Sequence, residues 1–257
     1  MAKEYQTEAI VISSKDVGSR DKLITLFSQK HGKITGIVYG IRAGKKKQSG
    51  TLQQFAYLDV SLKAPKFSDL LDIITDWDLV KSFHKLGEDL IILSYANLFC
   101  ELTKELCPEK EVEFGVFELL LETFELLLSR NPRLVVLSSA YQLICRVGLQ
   151  PMLGHCVNCE EYIETDEYYF DYAAGGAVCT SCKDIERDLP CFTKDMSNLF
   201  YNLEKIYLNK SYADPAFSFS VNSKVLAETE KLLFNYIKSH IERPLKTLDF
   251  IEEIKNM

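Results

Sequence analysis

The 257-residue sequence lacks most features that announce a function directly. It has no run of about 18 apolar residues, so no segment reads as a membrane span. Its opening, Met1 to Gln6, has no uninterrupted apolar stretch behind a basic end, which a cleavable signal requires. The expectation is a cytoplasmic protein. Enzymatic signatures are missing too. There is no His-Glu-x-x-His helix and no Gly-x-Ser-x-Gly elbow. A zinc deaminase needs His-x-Glu together with Pro-Cys-x-x-Cys, and that combination does not occur. The glycine-flanked basic stretch after Tyr39 fails as a phosphate-binding P-loop. Three residues rather than four separate Gly40 from Gly44, and Lys45 is followed by Lys46 instead of Ser or Thr. Glu109, Glu111, Glu113, Glu118, Glu122 and Glu125 are numerous, but in helical patterns they read as solvated faces. No internal repeat or low-complexity linker divides the chain. The reading is a protein that is not an enzyme.

What is present starts with cysteine. Cys156-Val-Asn-Cys159 and Cys179-Thr-Ser-Cys182 are two Cys-x-x-Cys pairs separated by 19 residues, the spacing of a four-thiolate zinc site. Two residues between thiols let a tight turn aim both sulfurs at one ion, and the intervening hairpin returns the second pair. Tyr168, Tyr169, Phe170 and Tyr172 read as a strand and Gly175-Gly176 as a turn before Cys179. The alternatives are two disulfides or a redox dithiol, although no thioredoxin-like unit surrounds either pair. Four protein ligands leave no open position, so the expected role is structural. His155 could substitute as a ligand but reads as a surface histidine on a knuckle. Cys100, Cys107, Cys145 and Cys191 lie in or beside apolar helical patterns and are expected to be free and buried, as in a reducing compartment.

Hydrophobic residues make up 47% and charged residues 26%, ordinary for a globular chain of two domains plus a small finger. The net charge of −7 is unevenly spread. Residues 1–76 carry 12 Lys and Arg against 8 Asp and Glu, while the remainder carries 18 against 29. From Lys15 to Lys66 the count is 11 against 3. A basic N-terminal part on an acidic body points to a polyanionic ligand. Lys15, Arg20, Lys22, Arg42, Lys45, Lys46 and Lys47 are the candidate phosphate contacts. A solvated loop that only keeps the domain soluble is the alternative; the concentration of positive charge in one small β-domain favours binding. Tyr39 and Phe67 are candidates to stack bases.

In chain order, Thr7–Ser14, Lys22–Phe27, Lys33–Tyr39, Phe55–Lys63 and Leu70–Leu79 read as short strands. Five strands in about 75 residues, with no helical period, imply a closed or nearly closed barrel, for which the OB-fold is the leading five-stranded candidate. From Phe83 the period changes. Phe83–Leu106, Val112–Leu128 and Leu134–Val147, then Thr193–Leu208, Ser223–His240 and Leu248–Ile254, show apolar residues at three- and four-residue steps. The expected class is therefore α+β. An N-terminal five-stranded OB-fold barrel (1–80) is followed by an all-helical domain (81–150 and 188–257) into which a four-cysteine zinc finger (151–187) is inserted.

The order of these pieces resembles the RecO family of bacterial DNA repair proteins, which are recombination mediators, over essentially the full chain. The residues that carry the resemblance are Thr7–Ile12, Asp21–Phe27, Gly32–Ile34, Tyr39-Gly40 with its basic loop, the finger from Phe170 through Gly175-Gly176 to Cys179 and Cys182, and Tyr236–Leu248. Two departures stand out: Gln54 where the family has Pro before Phe55, and Val17-Gly18-Ser19 where it has Tyr-Gly-Glu. The resemblance implies a non-enzymatic protein that binds single- and double-stranded DNA at the barrel and anneals complementary strands. It also implies association with RecR and with the C-terminal tail of single-stranded DNA-binding protein, helping RecA load at gaps. One structural Zn2+ and a nucleoid-associated cytoplasmic location complete the expectation. A zinc-finger adaptor that bridges proteins without touching DNA is the alternative reading.

Overall fold

The computed structural model describes residues 3–41, 50–65, 71–183, 187–208 and 222–255, the side chains of 204–208 and 255 excepted. Five strands, β1 (Glu4–Val17), β2 (Asp21–Ser28), β3 (Gly32–Val38), β4 (Ala56–Lys63) and β5 (Asp72–Ser82), form a closed barrel in the order β1-β2-β3-β5-β4. All neighbours are antiparallel except β3 and β5, which close the barrel through a short parallel pairing at Gly36 and Ile37. The alternation legible in the sequence sets the faces. In β4, Ala56, Leu58, Val60 and Leu62 point inward, and the residues between them are only half covered. They meet Ala9, Val11, Ile24, Leu26, Ile34, Val38, Ile74 and Trp77 in one apolar cluster. Trp77 satisfies its indole N–H on Thr51 Oγ1 at 3.0 Å. A bulge between Val11 and Ser13 lets the long β1 turn to pair with both β2 and β4.

Because β3 meets β5 only at its C-terminal half, the edge from Gly32 to Thr35 needs another partner. The segment after the first helix supplies it. Lys110 N–H donates to the Lys33 carbonyl at 2.7 Å, and the Glu109 carboxylate accepts from Thr35 N–H at 2.5 Å. Lys33 Nζ returns a bond to the Lys104 carbonyl.

The first two helices begin later than their periodicity implies. Phe83–Glu88 is not part of the first helix; His84–Gly87 is a single 3-10 turn, and α1 (Leu90–Leu106) starts where Asp89 caps Ile91 and Ile92 N–H. The next helix, α2, runs Val116–Leu127 rather than from Val112, because the chain before it is held along the barrel edge. Phe117 and Phe124 of α2 pack on Tyr57, Phe55 and Phe83 with ring centroids 5.4–5.6 Å apart. Gln54, at the position where the resemblance implies Pro, donates to the Ile12 carbonyl and to Asn97 Oδ1. It ties barrel to helix by bonds a proline could not make.

The remaining helices are α3 (Pro132–Arg146), α4 (Lys194–Leu208), α5 (Ser223–Ser239) and α6 (Lys246–Lys255). Two compact units result, one of residues 1–136 with 245–257 and one of 137–244, so the division falls inside α3. In the first unit α6 rests on α1, and the Glu101 carboxylate accepts from Lys246 and Thr247 N–H, satisfying the first turn of α6. In the second, Phe200 packs on Tyr141 at 5.0 Å, and Ser138 donates to the Leu203 carbonyl. No helix among the described residues is long and apolar enough to cross a membrane.

Candidate metal centre and nucleic-acid interface

Three short strands carry the finger: β6 (Glu167–Asp171), β7 (Gly176–Val178) and β8 (Cys191–Thr193), in the order β7-β6-β8. The expected hairpin is present, but Tyr172 lies past its strand, and β8 comes from beyond residue 187. Cys191 consequently sits exposed on a strand instead of buried beside a helix. Cys100 and Cys107 are buried as expected, and Cys145 is partly so.

Two backbone knuckles present the thiols. Glu160 N–H donates to the Cys156 carbonyl at 2.8 Å, and Cys182 N–H to the Cys179 carbonyl at 3.1 Å. The knuckles are joined to the hairpin by Val157 N–H to Ala177 O at 2.9 Å and by Met152, whose carbonyl accepts from Ala177 N–H at 2.8 Å. That last contact brings backbone so close to Gly176 that an added Cβ would lie 2.5 Å from the Met152 carbonyl oxygen. Only glycine fits there.

Sγ of Cys156, Cys159, Cys179 and Cys182 lie within 4.8 Å of one another, with 3.9 Å between Cys159 and Cys179. A tetrahedral ion with bonds of about 2.3 Å requires sulfur separations of about 3.8 Å. The geometry and the all-thiolate donor set fit one thiophilic ion with no open coordination position. The electrostatics favour the ionised ligand at Cys156. Burial alone would raise its thiol, but N–H groups of Cys179, Cys159 and Asn158 aimed at the sulfur outweigh it and bring the group down to about 6. His155 is not among the clustered donors; its ring stands edge-on to exposed Tyr162 at 5.5 Å. Behind the cluster, buried Asp171 accepts from Ala173 and Ala174 N–H and pairs with Arg187 at 2.6 Å, fixing the β6–β7 turn.

Of the candidate phosphate contacts, Lys15, Arg20 and Lys22 lie on the β1–β2 hairpin. Arg42, Lys45, Lys46, Lys47 and the candidate stacker Phe67 fall outside the described residues. Lys15 and Arg20 are exposed; Lys22 is half-buried, 3.9 Å from Asp16. In register Lys22 stands opposite Val38, which brings Tyr39, itself 58% exposed, to the same end of the barrel. The residue the sequence did not single out is Asp21. Its carboxylate accepts from Gly40 N–H at 2.8 Å and so binds the hairpin to the chain leaving β3. An acidic residue inside a basic stretch gives no sequence signal of that role. The finger, by contrast, is acidic: residues 151–187 hold eight Asp and Glu against two Lys and Arg.

Compared with known families, residues 1–83 match the family model described as "Recombination protein O N terminal" and residues 87–249 the one described as "Recombination protein O C terminal". The chain belongs to the RecO family. Curated relatives named DNA repair protein RecO align along nearly their whole length. That of Thermoanaerobacter sp. (strain X514) is 26% identical over 255 residues, 98% of each chain. That of Dehalococcoides mccartyi is 27% identical over 254 residues, 98% of this chain and 96% of the relative. That of Pelotomaculum thermopropionicum is 27% identical over 250 residues, 97% and 94%. RecO membership places the chain in DNA repair and recombination. The four clustered cysteines belong to the part of the chain matched by the RecO C-terminal model.

Proposed function

We propose that this protein is a non-enzymatic recombination mediator that binds single- and double-stranded DNA through its N-terminal barrel and anneals complementary strands. The observation that carries the reading is the barrel's end formed by Lys15, Arg20, Lys22 and Tyr39, in a chain that matches the RecO family models over residues 1–83 and 87–249. The strand order β1-β2-β3-β5-β4 supports taking residues 1–80 as an OB-fold, an architecture suited to single strands. Residues 81–150 and 188–257 then form the helical domain and 151–187 its inserted finger. Lys15, Arg20, Lys22, Arg42, Lys45, Lys46 and Lys47 neutralise phosphates, on two strands at once during annealing. Lowering that repulsion lets base pairing supply the sequence specificity. The partners are those the family implies: RecR, the C-terminal tail of single-stranded DNA-binding protein and, indirectly, RecA. The setting is the cytoplasm, at the nucleoid.

Cys156, Cys159, Cys179 and Cys182 hold one Zn2+, which the sulfur separations and thiolate set support over a catalytic metal. The ion contributes folding energy and no reaction step. Its four ligands are anionic, and the surrounding carboxylates leave the finger unsuited to phosphate contact.

The test is DNA binding and strand annealing by the full chain across a salt series, with bound metal quantified. Binding that weakens steeply with salt, annealing, and one zinc per chain are expected. Zinc without DNA binding at low salt would replace this reading with the protein-bridging adaptor.

A further inference from the structure

The opposite end of the barrel also gathers basic side chains. There a pocket of about 220 Å³ opens between Tyr5, Ile34 and Asp72, with Lys3, His31 and Lys110 around it. Asp72 is 1% exposed, yet its charge is already used: Tyr5 Oη donates to one carboxylate oxygen and Lys110 Nζ to the other at 2.8 Å. Of the nearby carboxylates, Glu4 pairs with Lys63 at 3.5 Å, and Glu109 accepts from Thr35 while keeping its charge. Lys3 and Lys30 are exposed and have no ion pair among the described residues. His31 is half-buried, edge-on to Tyr5 at 4.8 Å. Its imidazole sits below its ordinary pKa, first because it is desolvated and then because Lys3 and Lys30 repel a further proton, while Asp72 acts the other way. At His31 the two ammonium groups of Lys3 and Lys30 outweigh Asp72, and an apolar and aromatic wall of Tyr5, Ile34 and Ala64 stands beside them.

We propose that this end of the barrel is a second phosphodiester-binding site, in which Lys3, Lys30 and His31 take the backbone of a nucleic-acid strand and Lys110, held by Asp72, fixes the pocket. The inference rests on the reading that the barrel binds DNA, and it adds a site that is separate from the Lys15–Lys22 hairpin. Strand β3 joins the two ends, with Val38 at the hairpin end and Gly32 at the pocket end. Its seven residues at about 3.3 Å each set the ends roughly 20 Å apart. That is about six nucleotide steps at the 3.4 Å spacing of a duplex strand and fewer for an extended single strand, so one long strand, or two strands, can occupy both sites.

The full zinc-loaded chain is tested with fluorescent oligothymidylates of 6 and 25 nucleotides by anisotropy across salt. Lys3→Glu/Lys30→Glu is compared with the charge-matched Lys224→Glu/Lys231→Glu on α5. At about 0.7 in log–log salt slope per single-strand phosphate contact, the first variant loses about 1.4 of slope on the 25-mer and about tenfold in affinity at low salt, and the control loses neither. Equal slopes in the two variants would overturn the second site while leaving the barrel's DNA binding intact. A wild-type chain that binds no oligonucleotide would overturn the proposed function itself. Should the charge reversal unfold the barrel, the His31 imidazole resonance in the wild-type chain decides. It shifts on saturation with the 25-mer if the site is used. No shift rejects it.

Discussion

Gly32 is where a single hydrogen atom is required. Its φ is +63°, and a Cβ would lie 1.6 Å from the carbonyl oxygen of Glu111, on a segment already fixed to β3 through Lys110. Alanine there meets the left-handed cost of about 1–2 kcal/mol and must also force the edge segment away. Gly32→Ala should therefore lose on the order of 3 kcal/mol, read as a lower urea midpoint at unchanged slope. An unaltered midpoint would show that the 109–111 segment does not hold the barrel edge. Cysteine gives a second residue-level prediction. Burial pushes the thiols of Cys100 and Cys107 up from 9.0 to about 12. Unfolding exposes them, so between about pH 9 and 12 the unfolded chain binds fewer protons than the folded one. Stability must then fall as pH rises through that window, by up to about 1.4 kcal/mol per pH unit for each thiol. Comparing urea midpoints at pH 8 and 10.5 checks this, and Cys100→Ala should flatten the decline. If it does not, Cys100 is not the group that titrates.

At the level of elements, local signals and long-range partners separate cleanly. Strand alternation in β3 and β4 is local, because one face is buried and the other is not, and those boundaries were legible to within about two residues. The helix starts were less so. Phe83 and Leu86 extend the apolar period of α1 backwards, but Asp89 provides a better cap and the chain before it is used to pack Phe83 on Phe124. Nothing in the sequence marks Glu109 and Lys110 as partners of β3, or Cys191–Thr193 as a strand of the finger, since both pairings join residues far apart in the chain. The cysteine cluster was legible for the opposite reason: four identical ligands at fixed spacing leave few alternatives. Its consequence is testable. One ion holds the two knuckles, whereas the strands between them bury Tyr168, Phe170, Ala177 and Val178, so removing the metal should release the knuckles while β6 and β7 stay folded; such sites contribute about 10–16 kcal/mol in isolated fingers. Hydrogen exchange after chelation should show the Glu160 and Cys182 amides losing protection while the Phe170 and β1–β2 amides keep theirs. Retained protection at Glu160 and Cys182 would mean that the knuckles stand without metal.

For the whole molecule the question is how a chain of net charge −7 binds a polyanion. At physiological salt, charges more than about 8 Å from a phosphate are largely screened, so the local face decides rather than the total. Residues 1–76 carry a basic excess, 12 Lys and Arg against 8 Asp and Glu, whereas the exposed finger carboxylates Glu160, Glu161, Glu164, Asp166 and Glu167 form a surface that should stay off the DNA. Two variants separate these roles. Lys45→Glu/Lys46→Glu/Lys47→Glu removes up to three phosphate contacts, so its salt slope on single strands should shrink by about 2 and its low-salt affinity should drop at least tenfold. Glu160→Gln/Glu161→Gln/Glu164→Gln neutralises three finger carboxylates, and its slope and affinity should match the wild type's. A folded lysine variant with undiminished binding would remove the loop from the interface. A finger variant that binds more tightly with a steeper slope would mean that the finger lies along the DNA path, and that its acidity restrains binding there.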